Sequence, residues 1–447
     1  MAVAPWAARG QSVPPGLLQQ RLAQLGLADQ GLGYARAEID GATLRFDAAG
    51  RTQREGGAAI DEDTPFEIGS ISKTFIALLL ADAVVSQALP QPLRLHDAVE
   101  DALPGAPKLR DTQGEPLRWI DLATHRSGLP RLARNMAPRN PADPYAGYSL
   151  DDLMAFIRAW QPTRRRDERF EYSNLGFGLL GQALALRAQR PLASLLAERV
   201  FEPLGLSGIT LSAPGTQRQI NGHNAQGLPV PIWHFGEATV GAGGLVGTAR
   251  ALARFAQAAL GQFEHPLKEA FALCLRRHAD GAAAMNPIGL AWTLAPLNGR
   301  TVFNHDGRTF GFASSLWLDP QRGRAAVLLA NADVPVTDLA LHTLDASLPL
   351  RDVTPRPTVR LSAAQLDILM GRYALNPQFS VLISSHSGRL FAQATGQGEF
   401  ELFASAPRRF FARVAALDVV FDGDEGVPAG FTLNQGGASQ RFVRQSP

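Results

Sequence analysis

The sequence predicts an α+β protein in which an antiparallel sheet is flanked by helices and interrupted by a helical insert, with a small all-β barrel after it. Strand-like runs occur before residue 50 and again after residue 300, while the region between them has mostly helical spacing. Three prolines lie within 349–357, and short strands then recur about every ten residues. We therefore expect a domain over 1–348, a Pro-rich linker over 349–360 and a barrel over 361–447.

The elements of the first domain follow from the spacing of its apolar residues. Residues 14–27 form an amphipathic pattern that predicts a helix, and apolar–polar alternation across Gly41 predicts a hairpin over 32–48. Further helices are expected after Ser70 and over 151–160, 175–188, 191–200, 248–261 and 338–348. Strands are expected over 301–304, 313–318 and 325–330. The early and late strands can then share one antiparallel sheet around the helical insert.

Short runs of β-type residues dominate the last part of the chain, and turns containing Gly or Pro separate them. Strands are expected over 379–384, 389–393, 399–403, 409–414, 417–421, 429–433 and 440–444. Strands at this regular spacing predict a small β-barrel or sandwich.

Composition excludes several kinds of partner. The 447 residues carry a net charge of only +2, whereas nucleic-acid binding needs clustered excess positive charge. No run of about 20 apolar residues occurs, so we expect no membrane-spanning helix. The first residues lack the basic and apolar segments of a signal peptide, which fits either a cytoplasmic protein or a mature form without its leader.

The usual spacings of metal ligands do not occur in the sequence. Neither His-x-x-x-His nor Cys-x-x-Cys is found, so we expect no metal and no other cofactor. The single cysteine, Cys274, cannot form an internal disulfide and lies in an apolar run typical of a helix. We expect it to be a buried structural thiol.

Ser70 and Lys73 are the strongest candidates for catalytic residues. Lys73 is one of three lysines beside forty arginines, and Lys can lose its proton and act as a base, whereas Arg effectively cannot. A Ser and a Lys three residues later share one face of a helix, and the apolar residues that follow predict burial. Burial disfavours a charged amine, so Lys73 could activate Ser70 as a nucleophile. Alternatively, Ser70 caps the helix and Lys73 extends towards solvent.

Two more polar motifs follow at long intervals. Tyr172-Ser173-Asn174 places a phenol and an amide on a turn ahead of a helix, where the phenol could be a general base and the amide could hold Lys73 or a substrate. At His305-Asp306-Gly307 we expect a strand to end, and Gly307 would let the backbone approach a ligand closely. His305 could donate to a substrate carboxylate or help to hold a tyrosinate. Each motif alone also fits a helix cap or a turn after an edge strand.

In their order and context the three motifs resemble those of the serine β-lactamase and penicillin-binding-protein superfamily, and class C β-lactamases in particular. Ser70-Ile71-Ser72-Lys73 is similar to the nucleophile segment, and Tyr172-Ser173-Asn174 matches Tyr-x-Asn. His305-Asp306-Gly307 stands in the place of Lys-Thr-Gly. The resemblance implies a β-lactamase/transpeptidase-like fold and an active-site serine hydrolase.

The resemblance covers roughly residues 15–347 and includes segments 122–130, 203–206 and 241–246. The C-terminal part, with Gly371-Arg372-Tyr373, resembles the lipocalin-like barrel that some family members carry. Since the family commonly works outside the cytoplasm, the resemblance also implies a periplasmic or secreted protein.

The resemblance implies a role for each residue of the first two motifs. Ser70 would attack a carbonyl and form an acyl-enzyme, while Lys73 and Tyr172 would together manage its proton. Asn174 would position the substrate and Lys73. The backbone N–H groups of Ser70 and Arg308 would form the oxyanion hole.

His305 is the main departure from the family pattern, because it replaces a Lys that binds the substrate carboxylate. It would contact the substrate together with Gly307, but a neutral imidazole suits β-lactams and D-Ala-D-Ala peptides less well than a permanent cation. His-x-Gly also occurs among the family's esterases and D-amino-acid-specific peptidases and amidases. The expected substrate is therefore a small molecule or peptide: a β-lactam, a D-amino-acid peptide or amide, or an ester, as for a carboxylesterase. An alternative of another class is a penicillin-binding or sensor module that is acylated without turnover.

Overall fold

The computed structural model describes residues 16–26, 30–105, 107–136, 143–212, 220–225, 227–281, 286–353, 357–377, 379–395, 399–412, 417–435 and 438–445. The chain divides into two compact units, Met1–Val353 and Thr354–Pro447. This division falls within the predicted linker over 349–360, of which residues 354–356 lie outside the described ranges.

Eleven helices lie in the described part of the first unit. They are α1 (Leu17–Leu25), α2 (Ser72–Ser86), α3 (Trp119–Ala123), α4 (Leu150–Ala159), α5 (Asn174–Ala188), α6 (Leu192–Leu196), α7 (Glu202–Leu204), α8 (Val240–Gly243), α9 (Ala249–Ala259), α10 (Lys268–Leu275) and α11 (Thr337–Leu344). The 3₁₀ turn Gly69–Ile71 precedes α2, another 3₁₀ turn covers Val99–Ala102, and a π turn over Ala197–Phe201 joins α6 to α7.

The strands of the first unit form one large sheet and two small ones. They are β1 (Gly33–Asp40), β2 (Thr43–Gly50), β3 (Phe66–Glu67), β4 (Ile209–Leu211), β5 (Gly222–His223), β6 (Pro229–Val230), β7 (Leu245–Gly247), β8 (Thr293–Leu297), β9 (Arg300–Arg308), β10 (Ala313–Asp319) and β11 (Arg324–Ala330). The large sheet has the order β2-β1-β11-β10-β9-β8, and all its neighbours are antiparallel. The prediction that the early and late strands share an antiparallel sheet around a helical insert is therefore confirmed.

The large sheet is buried on both faces, which explains why β11 is apolar at almost every position. Successive side chains of a strand point to opposite faces. Val327 and Leu329 join the core shared with the helical insert, whereas Leu328 joins the core shared with α1 and α11. A short, continuous apolar run is the sequence pattern of such a fully buried strand.

Helix α2 runs through the larger core and carries Lys73 at its N-terminal end. Its residues are apolar nearly all round, and Phe75 stacks on Phe255 of α9 with ring centroids 4.1 Å apart. The stretch Gly69–Ser86 is long and apolar enough to cross a membrane, but 78% of it is buried inside the protein. This stretch is therefore a core helix of the first unit.

The boundaries of several elements differ from the prediction. Helix α1 covers Leu17–Leu25, and residues 14–15 and 27 of the predicted helix lie outside the described residues. Strand β9 continues to Arg308, so the predicted strand end at residue 304 is wrong. The strand continues because β10 pairs with it as far as Arg308, and this tertiary pairing overrides the weak strand preference of Asp and Gly.

The second unit is a closed barrel of eight antiparallel strands that follows the short helix α12 (Ala363–Asp367). Its strands are β12 (Gly371–Asn376), β13 (Phe379–His386), β14 (Arg389–Ala394), β15 (Phe400–Ala406), β16 (Arg409–Ala412), β17 (Leu417–Phe421), β18 (Gly430–Gln435) and β19 (Ala438–Arg444). The sequence prediction lacked β12, whose Tyr373 pairs with Arg444 and closes the barrel. Residues 413–414 of one predicted strand lie outside the described residues.

Candidate active site

Ser70 and Lys73 lie where the 3₁₀ turn Gly69–Ile71 runs into α2. Lys73 is completely buried, and its Nζ lies 3.0 Å from Ser70 Oγ. The turn depends on Gly69, which has a φ of +50° that favours glycine. The backbone N–H of Leu245 donates to Ser72 Oγ at 3.0 Å and fixes the start of the helix. The structure therefore brings this predicted pair into direct contact.

The Lys73 amine is held by two carbonyl oxygens as well. It donates to Asn174 Oδ1 at 2.9 Å and to the backbone carbonyl of Ala242. Burial, and secondarily the positive charge of Arg131, lowers the pKa of Lys73 well below its usual value. The site therefore favours the neutral amine.

Asn174 is oriented by the helix that begins at it. Ser173 caps α5, because its Oγ accepts from the Gly176 N–H at 2.8 Å. The carbonyl of Arg131 accepts from the N–H of Asn174 at 3.0 Å and from that of Leu175 at 3.1 Å. With its backbone fixed in this way, Asn174 offers Oδ1 to Lys73 and donates from Nδ2 to Tyr145 Oη at 2.9 Å.

Tyr172 completes a cluster around Ser70, to which its phenol is hydrogen-bonded. The ring stacks on His125 with centroids 4.3 Å apart, and the Lys73 amine lies 4.9 Å from the ring centroid. Burial is the main reason that the pKa of Tyr172 is raised to about 12, and it outweighs the hydrogen bond with Ser70 and the charge of Arg131. Tyr172 therefore stays a neutral phenol near pH 7.

His125 supports Tyr172 as a neutral platform. Its Nδ1 accepts from the backbone N–H of Ser173 at 3.0 Å, so the ring proton is on Nε2. Burial first, and then the charge of Lys73, lowers the pKa of His125 well below its usual value. The sequence had not marked His125 as a site residue, although it lies within the family-like segment 122–130.

The end of β9 lies against the turn that holds Ser70. The pairing of β9 with β8 stops at Asn304. The strand edge of residues 305–308 is therefore not covered by β8, and it faces the Ser70 turn. A Cβ on Gly307 would lie 2.0 Å from the carbonyl oxygen of Ile68. A Cβ on Gly69 would lie 2.7 Å from the backbone N of Arg308. Glycine at both positions is what allows the two backbones to approach this closely.

His305 is a neutral imidazole that donates from Nδ1 and has Nε2 free to accept. Its Nδ1 lies 2.8 Å from the carbonyl oxygen of Asp306, and since a carbonyl only accepts, Nδ1 carries the proton and Nε2 does not. Burial, followed by the charge of Lys73, lowers the pKa of His305 to about 3. The next residue, Asp306, accepts from Ser315 at 2.5 Å and Thr337 at 2.8 Å. His305 therefore differs in both charge and hydrogen-bonding sense from a Lys at this position.

Several residues of the site were missed by sequence reasoning. Arg131 lies with its Cζ 5.3 Å from the Tyr172 ring centroid. Tyr145, which holds Asn174, stacks on Phe235 with centroids 4.7 Å apart and packs on Trp233 at 5.2 Å. Trp233 is thus part of the aromatic surroundings of the site. These contacts join segments that are distant in the sequence, so they cannot be predicted from the local spacing of residues.

An antiparallel sheet with flanking helices, carrying a Ser hydroxyl beside a buried Lys, defines the protein as a serine hydrolase. The family model described as Beta-lactamase matches residues 18–348. Because this match covers most of the chain, the protein belongs to the beta-lactamase family.

Individual relatives agree with this assignment. A beta-lactamase from Pseudomonas fluorescens is 25% identical over 68% of this chain and 89% of its own length. The D-alanyl-D-alanine-carboxypeptidase/endopeptidase AmpH of Escherichia coli K12 is 24% identical over 66% of this chain and 78% of its own length. The structure of an octameric penicillin-binding protein homologue from Pyrococcus abyssi matches with a TM-score of 0.63 at 19% identity, covering 95% of this chain and 98% of that one. This last likeness shows the fold alone.

Proposed function

We propose that the protein hydrolyses acyl compounds through an acyl-enzyme formed on Ser70, with Lys73 as the general base. The supporting observation is the set of three partners around the Lys73 amine. A neutral amine has two N–H bonds and one lone pair, and the oxygens of Asn174 and Ala242 can only accept. The two N–H bonds therefore go to these oxygens, and the lone pair is left for the hydroxyl proton of Ser70, 3.0 Å away.

Tyr172 serves better as a proton donor than as the base. Its pKa is raised to about 12, so at neutral pH Tyr172 is a protonated phenol that can give a proton, whereas the lowered pKa of Lys73 favours the neutral amine that can accept one. The Tyr172 hydroxyl is hydrogen-bonded to Ser70 and can donate its proton to the leaving group. Asn174 acts on the base by fixing the direction of its lone pair.

The backbone N–H groups of Ser70 and Arg308 form the oxyanion hole in this proposal. Support comes from Gly69 and Gly307, whose missing side chains let the end of β9 lie beside the Ser70 turn. One such donor is typically worth roughly 3–4 kcal/mol of transition-state stabilisation. Gly307 thus acts by providing room.

The substrates that we propose are esters and D-amino-acid amides or peptides, with β-lactams as further candidates. Relatives are named as beta-lactamases and as a D-alanyl-D-alanine carboxypeptidase. The neutral His305, whose Nε2 can accept a hydrogen bond, favours groups that donate to it and gives no charge for a carboxylate. This observation favours a carboxylesterase as the second candidate within the same mechanism.

The test compares three substrates: a fluorescent penicillin, a p-nitrophenyl ester and a D-amino-acid amide. Ser70→Ala and Lys73→Ala should abolish turnover, and Lys73→Arg should be as damaging, because Arg keeps the charge and cannot accept a proton. Lys268→Arg at an exposed lysine is the matched control and should keep full activity. Intact-mass measurements should find an acyl adduct on the wild type and none on Ser70→Ala.

Each other outcome changes the proposal in a definite way. Full turnover by Ser70→Ala on every substrate would refute the nucleophile, and near-normal activity of Lys73→Arg would refute the base. A stable penicilloyl adduct without turnover would identify a penicillin-binding or sensor module instead. Rapid ester hydrolysis without any reaction with penicillin would establish the carboxylesterase.

A further inference from the structure

The groups that surround Ser70 carry little charge of their own. Lys73 and His125 are completely or almost completely buried, and His305 is 8% exposed. Burial disfavours the protonated form of all three, as the lowered pKa of each shows. An anionic group on a substrate therefore finds no cation inside the cluster.

Arg131 is the cation that lies next to this neutral cluster. Its side chain is exposed, and its Cζ lies 5.3 Å from the centroid of the Tyr172 ring. Its backbone is held in place, because its carbonyl accepts from the N–H groups of Asn174 and Leu175. The charge of Arg131 also acts on the pKa of Lys73, His125, Tyr172 and Tyr145, which places it close to the reacting groups.

Two other arginines, Arg164 and Arg308, are paired with carboxylates, whereas Arg131 has no such pair in the described part of the structure. Arg164 pairs with Glu171 at 2.8 Å, and Arg308 pairs with Asp333 at 2.7 Å. Among the residues that the structure describes, no carboxylate lies within 4.0 Å of the Arg131 guanidinium. Contact with the ring face uses the charge of the guanidinium and leaves its N–H donors free to bind an anion.

We propose that Arg131 is a specificity-determining residue that binds a carboxylate carried by the acyl substrate, a role that rests on the acyl transfer proposed for Ser70. A guanidinium can bind a carboxylate through two parallel hydrogen bonds, which adds orientation to charge. Substrates with a carboxylate near the scissile carbonyl are therefore preferred over neutral analogues of the same length.

A role for Arg131 in creating a tyrosinate at Tyr172 agrees less well with the structure. The charge of Arg131 lowers the pKa of Tyr172, but burial raises it by more, and the pKa is about 12. The phenol is thus protonated even with the cation above its ring. Substrate binding is what remains for a guanidinium that has no carboxylate partner among the described residues.

The test uses two activated esters of equal chain length, mono-p-nitrophenyl glutarate with a free carboxylate and neutral p-nitrophenyl valerate. Arg131→Gln should raise KM for the glutarate about ten-fold, equivalent to ~1.4 kcal/mol, and change KM for the valerate less than two-fold. Arg131→Lys should fall between wild type and Arg131→Gln, since it keeps the charge and loses the planar fork. Arg134→Gln is the matched control, because Arg134 is an exposed arginine three residues further along.

Ionic strength gives a second readout that needs no variant. Raising salt should increase the wild-type KM for the glutarate and leave the valerate unchanged, and Arg131→Gln should lose this dependence. Equal losses on both esters in Arg131→Gln, or an effect of Arg134→Gln as large, would overturn the assignment of Arg131 while Ser70 chemistry stands. If the wild type hydrolyses neither these esters nor the penicillin and the D-amino-acid amide, and forms no adduct on Ser70, the proposed function fails, and the role of Arg131 fails with it.

Discussion

Asn174→Asp tests whether Lys73 is the base, because it changes the charge beside the amine and almost nothing else. The two side chains have the same shape, and Oδ1 of residue 174 lies 2.9 Å from Lys73 Nζ. At an effective dielectric constant of about 20, a carboxylate at this distance attracts an ammonium by roughly 6 kcal/mol, or about four pKa units. Burial of the new carboxylate opposes part of this attraction. We therefore expect the pKa of Lys73 to rise by at least ~2 units.

The assay is the pH dependence of kcat/KM on a neutral p-nitrophenyl ester, followed from acid to alkaline pH. In the wild type the acidic limb reports deprotonation of the base in the free enzyme. In Asn174→Asp this limb should move to higher pH by the rise in the pKa of Lys73. At any pH on the acidic limb of both enzymes this corresponds to a loss of roughly 100-fold relative to the wild type, most of which returns at alkaline pH.

Asn174→Ala is the control for the loss of the amide. It removes the oxygen that accepts from Lys73 and adds no charge, so it should slow the reaction without moving the acidic limb to higher pH. An unchanged limb in Asn174→Asp, or an equal displacement in Asn174→Ala, would show that a group other than Lys73 takes the Ser70 proton.

Three further substitutions test the energetics of the site. Lys73→Met should be inactive yet more stable at pH 7, because burial lowers the pKa of Lys73 and so costs folding energy at any pH below the pKa of ~10.4 in the unfolded chain. Urea unfolding at pH 7 and pH 9 should show that the stability of the wild type rises with pH and that the rise is smaller in the variant. His305→Asn should lose less stability in acid than the wild type. The pKa of about 3 in the folded protein makes the wild type lose at most roughly 5 kcal/mol as pH falls from ~6.5 towards 3. Melting temperatures at pH 7 and pH 4 measure this difference. Gly307→Ala should lower the stability by about 1–3 kcal/mol and remove most of the esterase activity, because the new Cβ would lie 2.0 Å from the Ile68 carbonyl oxygen. Denaturant unfolding measures the first effect, and ester turnover measures the second.

Local features of the sequence were enough to find the residues nearest to the reacting hydroxyl. Ser70 and Lys73 are three residues apart on one helical turn, and the apolar run behind them correctly placed this helix in the core. Burial of Lys73 could be inferred from the same run, since a helix apolar on all sides has no exposed face. The buried Cys274 followed from similar reasoning and is confirmed.

Features that depend on contacts between distant segments were not predictable in this way. Strand β9 extends to Arg308 because β10 pairs with it, against the low strand preference of its Asp and Gly. Strand β12 was missed because it closes the barrel with β19, more than 60 residues later, and its own pattern is short. Arg131 lies in a loop, and Ala242 lies in the four-residue helix α8, which is too short for periodicity to mark a residue as facing inward.

Burial separates the base from the proposed anion-binding group, and this separation explains how one site can use both. A carboxylate held beside Lys73 would raise the pKa of the amine and so remove the base, by the same attraction that Asn174→Asp would introduce. A carboxylate held by the exposed Arg131 is partly neutralised by the guanidinium, so it raises the pKa of the buried amine less than an unpaired carboxylate would. With His305 neutral, no inner cation draws the substrate anion towards Lys73. The acidic limb of kcat, which reports the enzyme–substrate complex, should therefore be the same for the glutarate and valerate esters in the wild type. In Arg131→Gln the limb for the glutarate should lie at higher pH than the limb for the valerate.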